Sequence, residues 1–96
     1  MNKYYVYILY SNVIDRFYIG QTMSVEIRLD KHLQHSMDEA YTKKADDWTV
    51  FYQLGCNNRR QALLIEHHIK KMKSRKYLED LNKYPEMSAR LLEKYL

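Results

Sequence analysis

The 96-residue sequence contains one cysteine, one proline and two glycines. Nowhere does it run to the roughly 18 consecutive apolar residues that a membrane span requires. A lone Cys56 cannot close an internal disulfide, so an intracellular, reducing setting is expected, with the cytoplasm as the default location. The first apolar run is short and broken by tyrosines, which argues against a signal peptide, and no membrane attachment is expected. No internal repeat, linker or low-complexity tract divides the chain. With 46% apolar residues, the length suits a single domain over 1–96 around one small core.

Acid is scarce where base is concentrated. The formal charge is +4, but Asn57 to Lys76 holds seven basic residues and one acid, Glu66, so this window is +6 and the remainder −2. Such a segment is either the footprint of a polyanion, most often nucleic acid, or a solvated helix face. The candidate nucleic-acid contacts are Arg59, Arg60, Lys70, Lys71, Lys73, Arg75 and Lys76, with Lys43 and Lys44 on an earlier polar stretch.

Two short runs, Tyr5 to Leu9 and Phe17 to Gly20, are rich in β-branched and aromatic residues, and Ser11, Asn12 and Asp15 between them offer turn chemistry for a hairpin. Alternation puts Tyr5, Tyr7 and Leu9 on one face and Tyr18 and Gly20 on one face, so a suitable register projects Tyr7 and Tyr18 to the same side. Gly20, lacking a Cβ, admits a close approach there. Ser24 caps a helix expected over about Val25–His35, with Val25, Leu29 and Leu33 as its buried stripe and Arg28, His32 and His35 on the shoulder at the core's edge. Ser36 to Asp47 reads as a surface loop. Trp48 to Leu54 alternates as a third strand, with Trp48, Val50, Tyr52 and Leu54 on one side, and Gly55 ends it. Asn57 or Asn58 caps a second helix running to about Lys73, with Ala62, Ile65, Ile69 and Met72 inward and Glu66 on the border of that face. Ser74 caps a third helix burying Leu78 and Leu81, Pro85 marks a stop, and an amphipathic tail closes the chain over 86–96.

Phosphodiester hydrolysis needs a deprotonated water, charge neutralisation at phosphate and help for the leaving oxygen. Glu66 can hold one Mg²⁺ or Mn²⁺, Arg28 can grip phosphate oxygens as a fork, and Tyr7 or Tyr18 can position the water or take its proton. Each has a structural alternative: strand tyrosines pack in sheets, and Glu66 stands four residues before Lys70, the favoured spacing for a helical ion pair. His32, His35, His67 and His68 share no local pattern for zinc, and Cys56 has no marked activating base.

The runs Tyr5 Val6 Tyr7 and Tyr18 Ile19 Gly20, separated by ten residues, resemble the two signatures of the GIY-YIG endonuclease family, with Tyr5 in place of the first glycine. Arg28 stands eight residues after Gly20, at the offset of the family's helix arginine, and His32 follows four residues later as in many small members. Glu66, within Ala62 to Lys73, matches the family's metal-ligand glutamate, and the run Lys73 to Leu78 is similar to the stand-alone bacterial branch. The resemblance covers about 4–81. It implies an α/β (α+β) domain with a central three-stranded antiparallel sheet flanked by helices. It further implies metal-dependent cleavage of DNA, with Glu66 on the metal, Arg28 on the phosphate, and Tyr7, Tyr18 and His32 around the water; it does not choose between the tyrosines. Gln21 stands where other members often carry lysine or histidine, so a cation that would lower a tyrosine pKa is missing.

Two other readings stand beside this one. The same scaffold can bind nucleic acid while cleaving little or not at all, or the tail from Ser88 to Leu96 can serve protein interaction.

Overall fold

The computed structural model describes residues 3–34 and 44–96. Strands β1 (Tyr4–Ser11), β2 (Arg16–Thr22) and β3 (Thr49–Cys56) form one antiparallel sheet in the order β2-β1-β3. The hairpin register pairs Tyr7 with Gly20 and Leu9 with Tyr18, so these four share a face as the alternation requires. The turn closes through Asp15 in the left-handed region (φ 51), and its tip is held by Asp47, which accepts from the Ser11 hydroxyl and the Val13 N–H.

The third strand departs from simple alternation. β1 pairs Ile8 with Tyr52 but Leu9 with Val50, so Phe51 is an extra residue in β3 and the strand bulges. The bulge moves Val50 off the face of Tyr52 and Leu54. Tyr52 is buried with Val6 and Ile8, whereas Trp48 is buried on the other face with Tyr7 and Leu9, and Val50 is exposed.

Among the described residues the helices are α1 (Val25–Leu33), α2 (Arg59–Met72), α3 (Arg75–Lys83) and α4 (Pro85–Lys94). Ser24, Asn58 and Ser74 each accept an N–H of the following first turn, as their residue types favour. α1 ends at Leu33, two residues short of the sequence expectation; His35 and Lys43 lie outside the described residues. α2 buries Gln61, Ala62, Ile65 and Ile69, but Met72 at its last turn is exposed. Pro85 opens α4 at its first turn, where the absent N–H costs nothing, instead of only stopping what precedes it.

The sheet separates two cores. On one face Val6, Ile8, Tyr52 and Cys56 meet Ala62, Ile65, Ile69, Leu78, Leu81 and Leu91 from the three later helices. On the other, Tyr7, Leu9, Val25, Ala45 and Trp48 pack beneath α1. α4 lies on its own domain: the Gln61 side-chain amide donates to the Leu92 carbonyl, and the Tyr52 and Ser88 hydroxyls are hydrogen-bonded.

Candidate active site

The site begins at the closest approach in the hairpin. A Cβ built on Gly20 would stand 2.6 Å from Tyr7 Oη and 2.8 Å from its Cζ, so the phenol of Tyr7 lies across the glycine. Tyr7 is buried, and its Oη meets His32 Nε2 at 3.1 Å. Tyr18 closes the third side, its ring 6.2 Å from Tyr7 and 4.6 Å from His32, in an edge-on arrangement to the histidine. The hairpin thus brings both tyrosines to α1, as the two strand patterns anticipated.

His32 is not on the shoulder where helical periodicity put it. It is fully buried, because the two tyrosines rise from the sheet to cover the side of α1 that would otherwise face solvent. Burial, and then the positive charge of Arg28 one turn earlier, push its pKa down from 6.5 to about 4. The imidazole is therefore neutral at neutral pH, and one of its nitrogens carries a proton while the other accepts. Nδ1 has no hydrogen-bond partner among the described residues. Arg28 is half-buried on the same side of α1.

Glu66 stands elsewhere. It follows Ile65 on α2, which packs on the opposite face of the sheet from α1, against β1 and β2. Gln21 shares the face of Glu66, not that of Tyr18 and Gly20. The Glu66 side chain is 16% exposed, and its Oε2 meets Lys70 Nζ at 2.6 Å. A single half-open carboxylate is a donor set that suits Mg²⁺, a hard cation that binds through one or two carboxylates and keeps its waters. No cluster of three or more His, Cys, Asp or Glu capable of enclosing a metal occurs among the described residues, so water would complete the coordination.

The basic residues divide by what they touch. Arg75 is committed to Asp15, with Nη2 to Oδ1 at 2.6 Å and Nη1 to Oδ2 at 3.1 Å, and lies over Phe17. That guanidinium, with the Tyr10 hydroxyl, holds the Asp15 pKa down at about 2. Lys76 pairs with Asp80 at 3.1 Å, and Arg60 donates to the carbonyl of Leu96 at 3.4 Å. Lys44, Arg59, Lys71 and Lys73 are exposed, Lys73 as the left-handed cap of α2. Arg16, outside the basic window, lines a groove with Lys70, Lys73 and Arg75. Only sheet register could bring it there, and the charge count along the chain has no access to register.

Residues 3–80 match the family model of the GIY-YIG catalytic domain. No curated protein and no solved structure matches the chain.

Proposed function

Because the chain belongs to the GIY-YIG family of nucleases, we propose that it is a single-domain, divalent-metal-dependent endonuclease that hydrolyses DNA phosphodiesters, in DNA repair or processing in the cytoplasm. The observation that carries the reading is the buried contact of Tyr7 with a neutral His32 beside Arg28. In the tautomer with hydrogen on Nε2, His32 donates to Tyr7 Oη, which fixes the phenol and eases loss of its proton. Tyr18 is the more open of the two tyrosines and is assigned to the attacking water; Tyr7 and His32 hold it in place from behind. Arg28 binds the non-bridging phosphate oxygens as a charged fork. Glu66 would hold one Mg²⁺ or Mn²⁺, which when bound neutralises charge on the phosphate and acidifies water. Sharing or displacing Lys70 from Glu66 belongs to that binding event.

A second reading, a nucleic-acid-binding module that cleaves little or not at all, is favoured by the occupation of Glu66 by Lys70. One experiment separates the two. The purified chain is incubated with labelled duplex, branched and single-stranded DNA and with RNA, in Mg²⁺, Mn²⁺ or EDTA, beside Glu66→Ala and Arg28→Ala. Metal-dependent cutting, reduced at least a hundredfold in either variant with circular dichroism unchanged, is the expected outcome, since one electrostatic contact to a transition state is worth about 10²–10³ in rate. Undiminished cutting in both variants would sink the assignment of roles. Binding without cutting in every metal selects the second reading.

A further inference from the structure

Around the edge of β2, the chain forms a groove of about 410 Å³ between that strand and the junction of α2 with α3. Four cations line it, Arg16, Lys70, Lys73 and Arg75, and among the described residues no carboxylate does. Its floor is apolar, formed by Phe17, Ile19 and Leu78. Arg75 is neutralised by Asp15 and acts as a wall, and Lys70 is paired with Glu66, but Arg16 and Lys73 are exposed. Ser74 spends its hydroxyl on the Tyr77 N–H, so the Arg75 and Lys76 N–H groups at the start of α3 have no acceptor within the helix.

One residue in this groove is conformationally costly. Lys73 caps α2 at φ 48, ψ 41, a position at which helices prefer glycine because a Cβ is disfavoured there. That strained position carries a lysine, and the lysine lines the groove.

We propose that this groove is a second contact for the sugar–phosphate backbone of the substrate, seating a phosphate against Arg16 and Lys73 while the sugar carbons rest on Phe17 and Ile19. The pairing of charge on the rim with an apolar floor is the chemistry of a nucleotide backbone, which alternates anion and ring. Lys73 lies about 10 Å from Glu66 along α2, so the contact is distinct from the scissile phosphate. It fixes register on the strand and reads no sequence. The proposal rests on the nuclease reading above and narrows the basic window to one end of α2.

The test is binding of labelled duplex and single-stranded DNA in EDTA, with the dissociation constant followed against salt. The variants are Arg16→Gln with Lys73→Gly, a pair chosen because glycine suits the left-handed cap and the fold is retained, as thermal melting would verify. The comparison pair is Arg59→Ala with Arg60→Ala, about 21 Å away along α2. The groove pair is expected to weaken binding about tenfold near 0.1 M salt and to lower the slope of log K against log salt by between one and two. An unchanged slope overturns the subsite while leaving the nuclease reading intact. An equal loss from the Arg59/Arg60 pair also overturns it, since the charge would then act as a diffuse cloud. Failure of the wild-type chain to bind any nucleic acid overturns the subsite and the nuclease reading together.

Discussion

His32 has Tyr7 on one ring nitrogen and no partner among the described residues on the other, and it gains no compensation for being charged in the fold. Its pKa falls from 6.5 when unfolded to about 4 when folded, so between those values the unfolded chain takes up a proton that the native chain refuses. Stability from this group is complete above pH 6.5 and is lost as the pH falls to 4, a difference of about 3 kcal/mol. Urea unfolding at pH 7.5 and 4.5 should therefore show a larger loss in the wild type than in His32→Gln; equal losses would contradict the burial argument. Gly20 is the other sensitive residue. In Gly20→Ala the new methyl meets Tyr7 at 2.6–2.8 Å, and the buried phenol cannot retreat without leaving His32. Overpacking of this kind costs about 1–3 kcal/mol. Melting temperature and cleavage should both fall, and adding Tyr7→Phe, which removes the clashing oxygen, should recover part of the stability but none of the activity.

Elements are held by a few ties that cross the fold. α4 is anchored by Leu91, 5% exposed in the larger core, and by the Gln61 amide, which also accepts from the Asn57 N–H at 2.7 Å. Leu91→Ala should cost about 2–4 kcal/mol in chemical unfolding, and Gln61→Ala about 1–3 kcal/mol; a free interaction arm would show no loss from Leu91→Ala. The hairpin is tied to α3 by Asp15 and Arg75. The Asp15 pKa is lowered from 3.8 to about 2, so its contribution is present above 3.8 and disappears as the pH falls through 2. Asp15→Asn, which keeps a residue tolerant of the left-handed turn, should flatten that acid limb in a pH titration of melting temperature. Such ties explain what could and could not be read along the chain. Ser24, Asn58 and Ser74 cap helices through local geometry, and the hairpin and the existence of a third strand follow from local alternation, so these were legible, while the antiparallel sheet that joins them was what the family resemblance implied. The bulge at Phe51 depends on which residue of β1 faces it, the burial of His32 on two tyrosines from another element, and the hold of Asp47 on the turn tip on a contact 36 residues away. That Tyr7 and Tyr18 share a face was legible in strand alternation, and their grouping with His32 was what the family resemblance implied, whereas the side of the sheet that receives Glu66 was not legible, because periodicity gives a helix its faces without saying which side of the sheet receives them.

At the scale of the molecule, three strands carry everything. The side chains of the proposed chemistry, Glu66 apart, come from the sheet and from α1 on one side of the sheet, with a small core that includes Trp48. The larger core, which gathers α2, α3 and α4, lies beneath the other. Trp48 fluorescence should report substitutions on the α1 side, such as Gly20→Ala, before circular dichroism registers any loss of helix, and simultaneous loss of both signals would show one indivisible core. The partition also bears on descent. Changes at Tyr18 or Arg28 that silence the chemistry lie across a wall three strands wide from the core that gathers the later helices. A lineage built on this plan can abandon cutting and still inherit that core.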